Sequence, residues 1–194
     1  MKELDINEVK EFVSSNIAIF HQNKKKSLTE LNLKRILKNK NPYLFKAKNI
    51  NIASDLIKEL LDAHLSSSEE KIFGDFLEEL AIFIAQKTVH GRKSAATGID
   101  LEFKVKKTHF LISIKSGPNW GNSGQQGKQE ENFKTALKVL KQSKNTLDVQ
   151  PVLGICYGKT KTSIVRGYLK VVGQNFWYLI SKNENLYTDI IKPL

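Results

Sequence analysis

GIDLEFKVKKTHFLISIKSGPNWGN, residues 98–122, decides how this chain is read. In its first half Ile99, Leu101, Phe103 and Val105 fall on one face of an extended segment, with Asp100, Glu102 and Lys104 on the other. Successive strand side chains point to opposite sides, which is what this alternation implies. In the second half Phe110, Ile112 and Ile114 alternate with Leu111, Ser113 and Lys115. Both apolar sets reach one core only if the turn between them holds an even number of residues. A two-residue turn at Lys106 and Lys107 meets that condition and pairs Val105 with Thr108. Counting back sets Asp100 opposite Ser113, with Lys115 one diagonal step away on the same polar face. The turn lacks the Gly or Asn that tight hairpins favour, so the even count carries the register. On spacing alone, Asp100 and Lys115 form either a plain salt bridge or a reactive pair.

The rest of the chain supplies the setting. Its 194 residues suffice for a single well-buried domain. The formal net charge of +11, from 31 basic and 20 acidic residues, favours a polyanionic partner over a neutral one. Cys156 is the single cysteine, lies in the apolar run VLGICY and reads as a core thiol, since no histidine is near it in sequence. His21, His64, His90 and His109 are scattered without ligand spacing, which argues against zinc. The opening MKELDINEVKEFVSSNIAIF mixes charges into its apolar positions, unlike a secretory leader, and a cytoplasmic setting is expected.

Periodicity predicts a helix over 5–21, then a basic stretch, 21–49, with nine lysines and arginines against Glu30 alone. Lys34 and Arg35 lie in it, beside Tyr43 and Phe45, and suit phosphate contacts or a solvated helix face. A second helix is expected over 51–65, and SSSEE then reads as a cap opening a separate helix, KIFGDFLEELAIFIAQK. HGRKSAATG is expected as loop. After the hairpin come a helix over 128–144, a buried strand at VQPVLGICYG and one or two strands in TSIVRGYLKVVG. A helical close through FWYLISKNENLYTDIIKPL completes the chain. This order describes an α/β domain built on a mixed sheet.

An aspartate on one strand and a lysine at the end of the next resembles the PD-(D/E)XK nuclease superfamily. Asp100 stands at the first acid, Lys115 at the lysine and Ile99 where a proline often sits; Ser113 occupies the position of the second acid. The run IKSGPNWGNSGQ, with FGDFLEELAIFI, NPYLFKAKN and GQNFW, is similar to the PmeII-like group of type II restriction endonucleases across nearly the whole chain. The resemblance implies an α/β, restriction-endonuclease-like core, a mixed β-sheet flanked by helices with an N-terminal helical region. It implies one nuclease domain over 1–194, in which 1–66 is a basic DNA or dimer region and 67–194 the catalytic core. It further implies Mg2+ as cofactor, double-stranded DNA as substrate, a homodimer, and a cognate DNA methyltransferase in the host. Two other readings are a DNA-binding module with a decayed nuclease site and a repair or nicking nuclease.

Serine at 113 leaves the metal short of a charge, because a hydroxyl binds magnesium weakly and more readily holds a metal-bound water. Glu78, on the helix before the hairpin, is the candidate replacement, by analogy with superfamily members that send a helix glutamate into the site. Glu102, two residues from Asp100 on the same face, is the fallback, and Glu130 and Glu131 on the following helix are a third possibility. With Asp100, a second acid and the backbone carbonyl of Ile114 holding the ion, Lys115 would orient the attacking water or stabilise developing charge. The glycine-rich loop after Lys115 offers Asn119, Trp120, Asn122, Gln125 and Lys128 for DNA contact, and Lys159, Lys161 and Arg166 are further candidates for phosphate or base contact. A tryptophan such as Trp120 more often packs such a loop onto the core than faces DNA.

Overall fold

The computed structural model describes residues 2–142 and 148–192. The chain divides into two compact units, one of residues 1–15 with 76–194 and one of residues 16–75. The boundaries fall inside two helices, α1 (Ile6–Thr29) and α4 (Ala53–Val89).

The larger unit is built on a six-stranded sheet. Its strands are β1 (Arg92–Lys93), β2 (Leu101–Val105), β3 (Thr108–Lys115), β4 (Asp148–Ile155), β5 (Ser163–Val165) and β6 (Tyr168–Val172), in the spatial order β1-β2-β3-β4-β6-β5. β3, β4 and β6 are parallel neighbours and the outer pairs are antiparallel, so the sheet is mixed. The helix α5 (Ser123–Gln142) supplies the crossover between β3 and β4, and α6 (Gln174–Ser181) and α7 (Leu186–Asp189) follow the last strand.

Both faces of the sheet are covered. Leu101, Ile112 and Val152 lie side by side on one face, all essentially inaccessible. On that face Gly154 gives way to α6, since a Cβ there would run into the Phe176 ring. On the other face Leu111 and Leu153 pack with Phe133 and Ala136 of α5 and with Tyr168. The residues of α1 that belong to this unit are anchored by buried Val9 and Val13, and Phe12 stacks on Phe83 of α4 at 4.4 Å between centroids.

The smaller unit is helical and contains α2 (Leu33–Lys38) and α3 (Pro42–Ala47). Asn32 and Asn41 cap these two helices through their side-chain oxygens, and neither helix buries a residue. Phe20 meets Phe73 edge to face, His64 Nε2 lies 2.9 Å from Ser27 Oγ, and Lys24 pairs with Glu69.

Several expectations from sequence need correction. SSSEE does not separate two helices: α4 runs unbroken from Ala53 to Val89. Ser68 Oγ donates to the Leu65 carbonyl at 3.1 Å, so its hydroxyl is satisfied within the helix and does not cap a new one. α1 continues to Thr29, through the lysine run, because nothing between His21 and Thr29 breaks a helix. The segment HGRKSAATG is not all loop, since Arg92 and Lys93 pair with the edge of β2. α5 begins at Ser123, five residues before the expected 128, and residues 143–144 of the expected helix lie outside the described residues. Ile99 does not share the Leu101 face; it packs with Leu111 and Phe133 on the opposite side. Strict alternation begins only at Leu101, and Gly98, at φ +73°, turns the chain just before it.

Candidate active site

The hairpin register is the one that the even-turn argument gives. Val105 pairs with Thr108 and Leu101 with Ile112, which sets Asp100 opposite Ser113 by continuation. Lys106 takes a positive φ of 53°, so the missing glycine is compensated by a residue held in a conformation that costs a non-glycine about 1–2 kcal/mol.

Asp100 is fixed by backbone and side chain together. Its amide donates to the Ile112 carbonyl at 2.9 Å. Its Oδ2 accepts from the Ile114 amide at 2.6 Å and lies 3.3 Å from Ser113 Oγ. Lys115 Nζ is 3.8 Å from the same Oδ2 and donates to the Ile114 carbonyl at 2.8 Å. The Lys115 ammonium also sits 5.8 Å from the centre of the Trp120 ring, inside the range of a cation–π contact. Asp100, Ile114 and Lys115 therefore converge on one small volume, and Ser113 borders it through its contact with Asp100.

Ser113 is completely buried, and its hydroxyl is within donating distance of Asp100 Oδ2, at 3.3 Å, and of Gln129 Oε1, at 3.0 Å. Gln129 was not among the sequence candidates. It projects from α5, is 5% exposed, and donates through Nε2 to the Gly98 carbonyl at 3.0 Å. One amide thus ties β3 to the turn that delivers Asp100. The signal was present as spacing, since Gln129, Phe133 and Ala136 are the buried positions of α5 and share one helical face. A polar residue on that face, with two apolar partners, marks an internal hydrogen-bonding role. Gly98 completes the arrangement: an added Cβ there would strike the Asn132 amide on the next turn of α5.

The other candidate acids have different surroundings. Glu78 lies on α4 with its side chain 29% exposed, and Oε1 is 3.9 Å from Lys93 Nζ. Burial pushes the Cys156 thiol far up, with Glu78 adding to the rise and Lys115 opposing it, so both charges act on the same thiol. That thiol is an inert core group, as its sequence context suggests. Glu102 is held elsewhere, by Arg92 Nε at 2.6 Å and by His109 Nε2 at 3.5 Å. Burial lowers the His109 pKa, opposed by Glu102 and assisted by Lys104 and Arg92. Glu130 pairs with Lys134 and Arg166, its carboxyl held low mainly by the Lys134 hydrogen bond, and Glu131 pairs with Lys128.

Among the described residues no three His, Cys, Asp or Glu side chains gather into a metal cage. The donors that do converge, a carboxylate and a backbone carbonyl, are hard oxygens, and an ammonium already bridges them. Such a set fits magnesium, which keeps several waters and takes few protein ligands. It does not fit zinc, which favours nitrogen and sulfur.

Of the predicted DNA contacts, Asn119 is exposed, and Trp120 is partly buried against the core cluster. Asn122 and Gln125 cap α5 reciprocally: the Gln125 amide donates to Asn122 Oδ1 at 3.0 Å and the Asn122 amide to Gln125 Oε1 at 2.9 Å. This box explains the early start of α5. Lys128 and Arg166 are exposed, and Lys34 and Arg35 are exposed on α2 of the smaller unit.

A carboxylate, a lysine and a carbonyl at the ends of two paired strands can position a water against a phosphodiester. Comparison with family models matches residues 7–194 to type II restriction endonuclease EcoO109I. Comparison with curated proteins finds no match. The matched span takes in the sheet, the Asp100–Lys115 pair and α5, and over it the chain belongs to the EcoO109I family of type II restriction endonucleases, enzymes that hydrolyse double-stranded DNA at defined sites.

Proposed function

We propose that Asp100 and Lys115 are the catalytic pair of this restriction endonuclease. The observation that carries the reading is the meeting of Asp100 Oδ2 and the Ile114 carbonyl on one Lys115 ammonium, at 3.8 and 2.8 Å. Magnesium would be held by Asp100, Glu78 and the carbonyl of Ile114, with Glu102 as the substitute acid. When bound, it would supply Lewis-acid polarisation of the scissile phosphate. Lys115 orients the attacking water and offsets the negative charge that grows on the phosphate oxygens. Ser113, too buried to meet solvent, acts through Asp100, whose carboxylate it braces from the strand side. Cleavage leaves a 5′-phosphate and a 3′-hydroxyl.

Substrate contacts are assigned to Asn119, Trp120, Asn122, Gln125 and Lys128 after Lys115, and to Arg166 on the turn between β5 and β6. Lys34 and Arg35 are assigned to the helical region, which we take to serve DNA or dimer contact within one nuclease chain. A homodimer is inferred because a palindromic site cut on both strands calls for two active sites related by two-fold symmetry. The PmeII-like grouping rests on IKSGPNWGNSGQ and its companion runs. A host methyltransferase and a cytoplasmic setting accompany a restriction function; no described helix is long and apolar enough to cross a membrane.

Plasmid incubated with the chain and magnesium, with and without chelator, tests the proposal. Discrete fragments that vanish with chelator are expected, and Asp100→Ala and Lys115→Ala should each abolish cutting while keeping duplex binding. Undiminished cutting by either variant would remove that residue from the pair. Binding without cutting by the parent chain would favour the decayed module.

A further inference from the structure

We propose that the β4–β5 loop, residues 157–162, is a second DNA-backbone surface that grips phosphates beside the scissile one. The inference deepens the proposed site and rests on it. β3 and β4 are parallel neighbours, so the loops leaving their ends emerge at the same edge of the sheet. The ladder continues past Lys115: the Cys156 amide donates to the Lys115 carbonyl at 2.9 Å and the Tyr157 amide to the Ser116 carbonyl at 3.1 Å. The Tyr157 ring then lies against Gly117, so closely that an added Cβ there would run into it. The β4–β5 loop thus stands directly beside the loop that follows Lys115.

Charge selects the partner. From Phe103 to Gln129, and again from Val149 to Asn183, the sequence holds no Asp or Glu. Both loops lie inside these acid-free windows, and Asp100 is the carboxylate of the catalytic pair beside them. Residues 159–163 are all exposed, and Lys159 and Lys161 form no ion pair among the described residues. Lys128, Lys134 and Arg166 on the same unit are each met by a carboxylate. The loop is anchored: Asn175 Nδ2 donates to Thr162 Oγ1 at 3.0 Å, and the Gly158 amide reaches the Tyr187 hydroxyl at 3.4 Å. Two unpaired lysines on a held loop, with an exposed aromatic at its base, match a phosphate backbone. Lysine contacts of this kind carry no base information, so the grip is independent of sequence.

The test uses the full chain carrying Asp100→Ala, which prevents cleavage, and fluorescence anisotropy with labelled duplex DNA over a salt series. Each phosphate contact contributes about 0.9 to the slope of log affinity against log salt. Adding Lys159→Ala and Lys161→Ala should lower the slope by roughly 1.8, equally on duplexes of unrelated sequence, and lysine-to-arginine changes should restore it. Lys138→Ala with Lys141→Ala, on the far end of α5, should leave it unchanged. An unaltered slope for the Lys159/Lys161 variant, with the parent binding normally, overturns this inference alone. Failure of the Asp100→Ala parent to bind any duplex at low salt overturns both this inference and the site it adjoins.

Discussion

Gln129→Leu puts the architecture of the site to its sharpest test. The amide makes two buried hydrogen bonds, to the Gly98 carbonyl and from the Ser113 hydroxyl, both at 3.0 Å. Leucine preserves the bulk and adds apolar packing against Phe133 and Ala136, but leaves both partners without their bond. An unsatisfied buried polar group costs about 1–3 kcal/mol, so two cost roughly 2–6 kcal/mol. Extra apolar burial offsets about 1 kcal/mol of that. The Ser113 proton then turns wholly to Asp100 Oδ2, 3.3 Å away, and recovers part of the remainder. A net loss of about 2–3 kcal/mol is expected, read as a lower urea midpoint at unchanged m-value. Freed from its tie, the Gly98 turn lets Asp100 drift, and displacement on the scale of an ångström costs about a hundredfold in rate. Single-turnover cleavage should therefore fall about that far with duplex affinity intact. A variant within about 0.5 kcal/mol of the parent, cutting at full rate, would refute the claim that α5 positions the aspartate.

Gly98→Ala should be harsher, because it combines a positive φ of 73° with collision against Asn132; loss of cleavage and a fall in thermal midpoint are both expected. Trp120→Leu removes the ring beneath the Lys115 ammonium and should slow cleavage with a small stability change, whereas Trp120→Phe should retain most of the rate; equal rates for both would show that the cation–π contact is idle. Glu78→Gln should approach Asp100→Ala in cleavage and weaken magnesium binding in calorimetry; full activity would shift the assignment to Glu102. His109 adds a pH signature. Its folded pKa is depressed by burial below 6.5, so the unfolded chain takes up the proton first. Its contribution is intact above pH 6.5 and is lost as pH falls from there toward the folded value. Urea midpoints at pH 7.5 and 5.5 should diverge in the parent and converge in His109→Phe. The facing charges Glu102, Lys104 and Arg92 remain in both proteins.

The hairpin was legible because its determinants are local. Alternation of side chains and an even turn allow one register, and a slip by one residue would have turned Leu101 and Ile112 into water. Asp100 and Lys115 came together from that arithmetic, and the buried strand at 148–155 followed from its own apolar run. Helix ends were less legible. At Ser66–Ser68 the hydroxyls serve a helix interior as readily as a cap, and the choice depends on what lies beyond the segment.

Only the folded chain decided what stands behind the aspartate. The sequence marked Ser113 as a departure but not its partner, because the residue that answers it, Gln129, arrives from a separate helix after a long loop. Contacts between distant segments have no local period to announce them; they exist once α5 is laid across the sheet by Phe133 and Ala136. The same holds for Glu102, which shares a face with Asp100 yet is drawn to Arg92 and His109. Alternation chooses the side of the sheet, and packing from outside the strand chooses the neighbour.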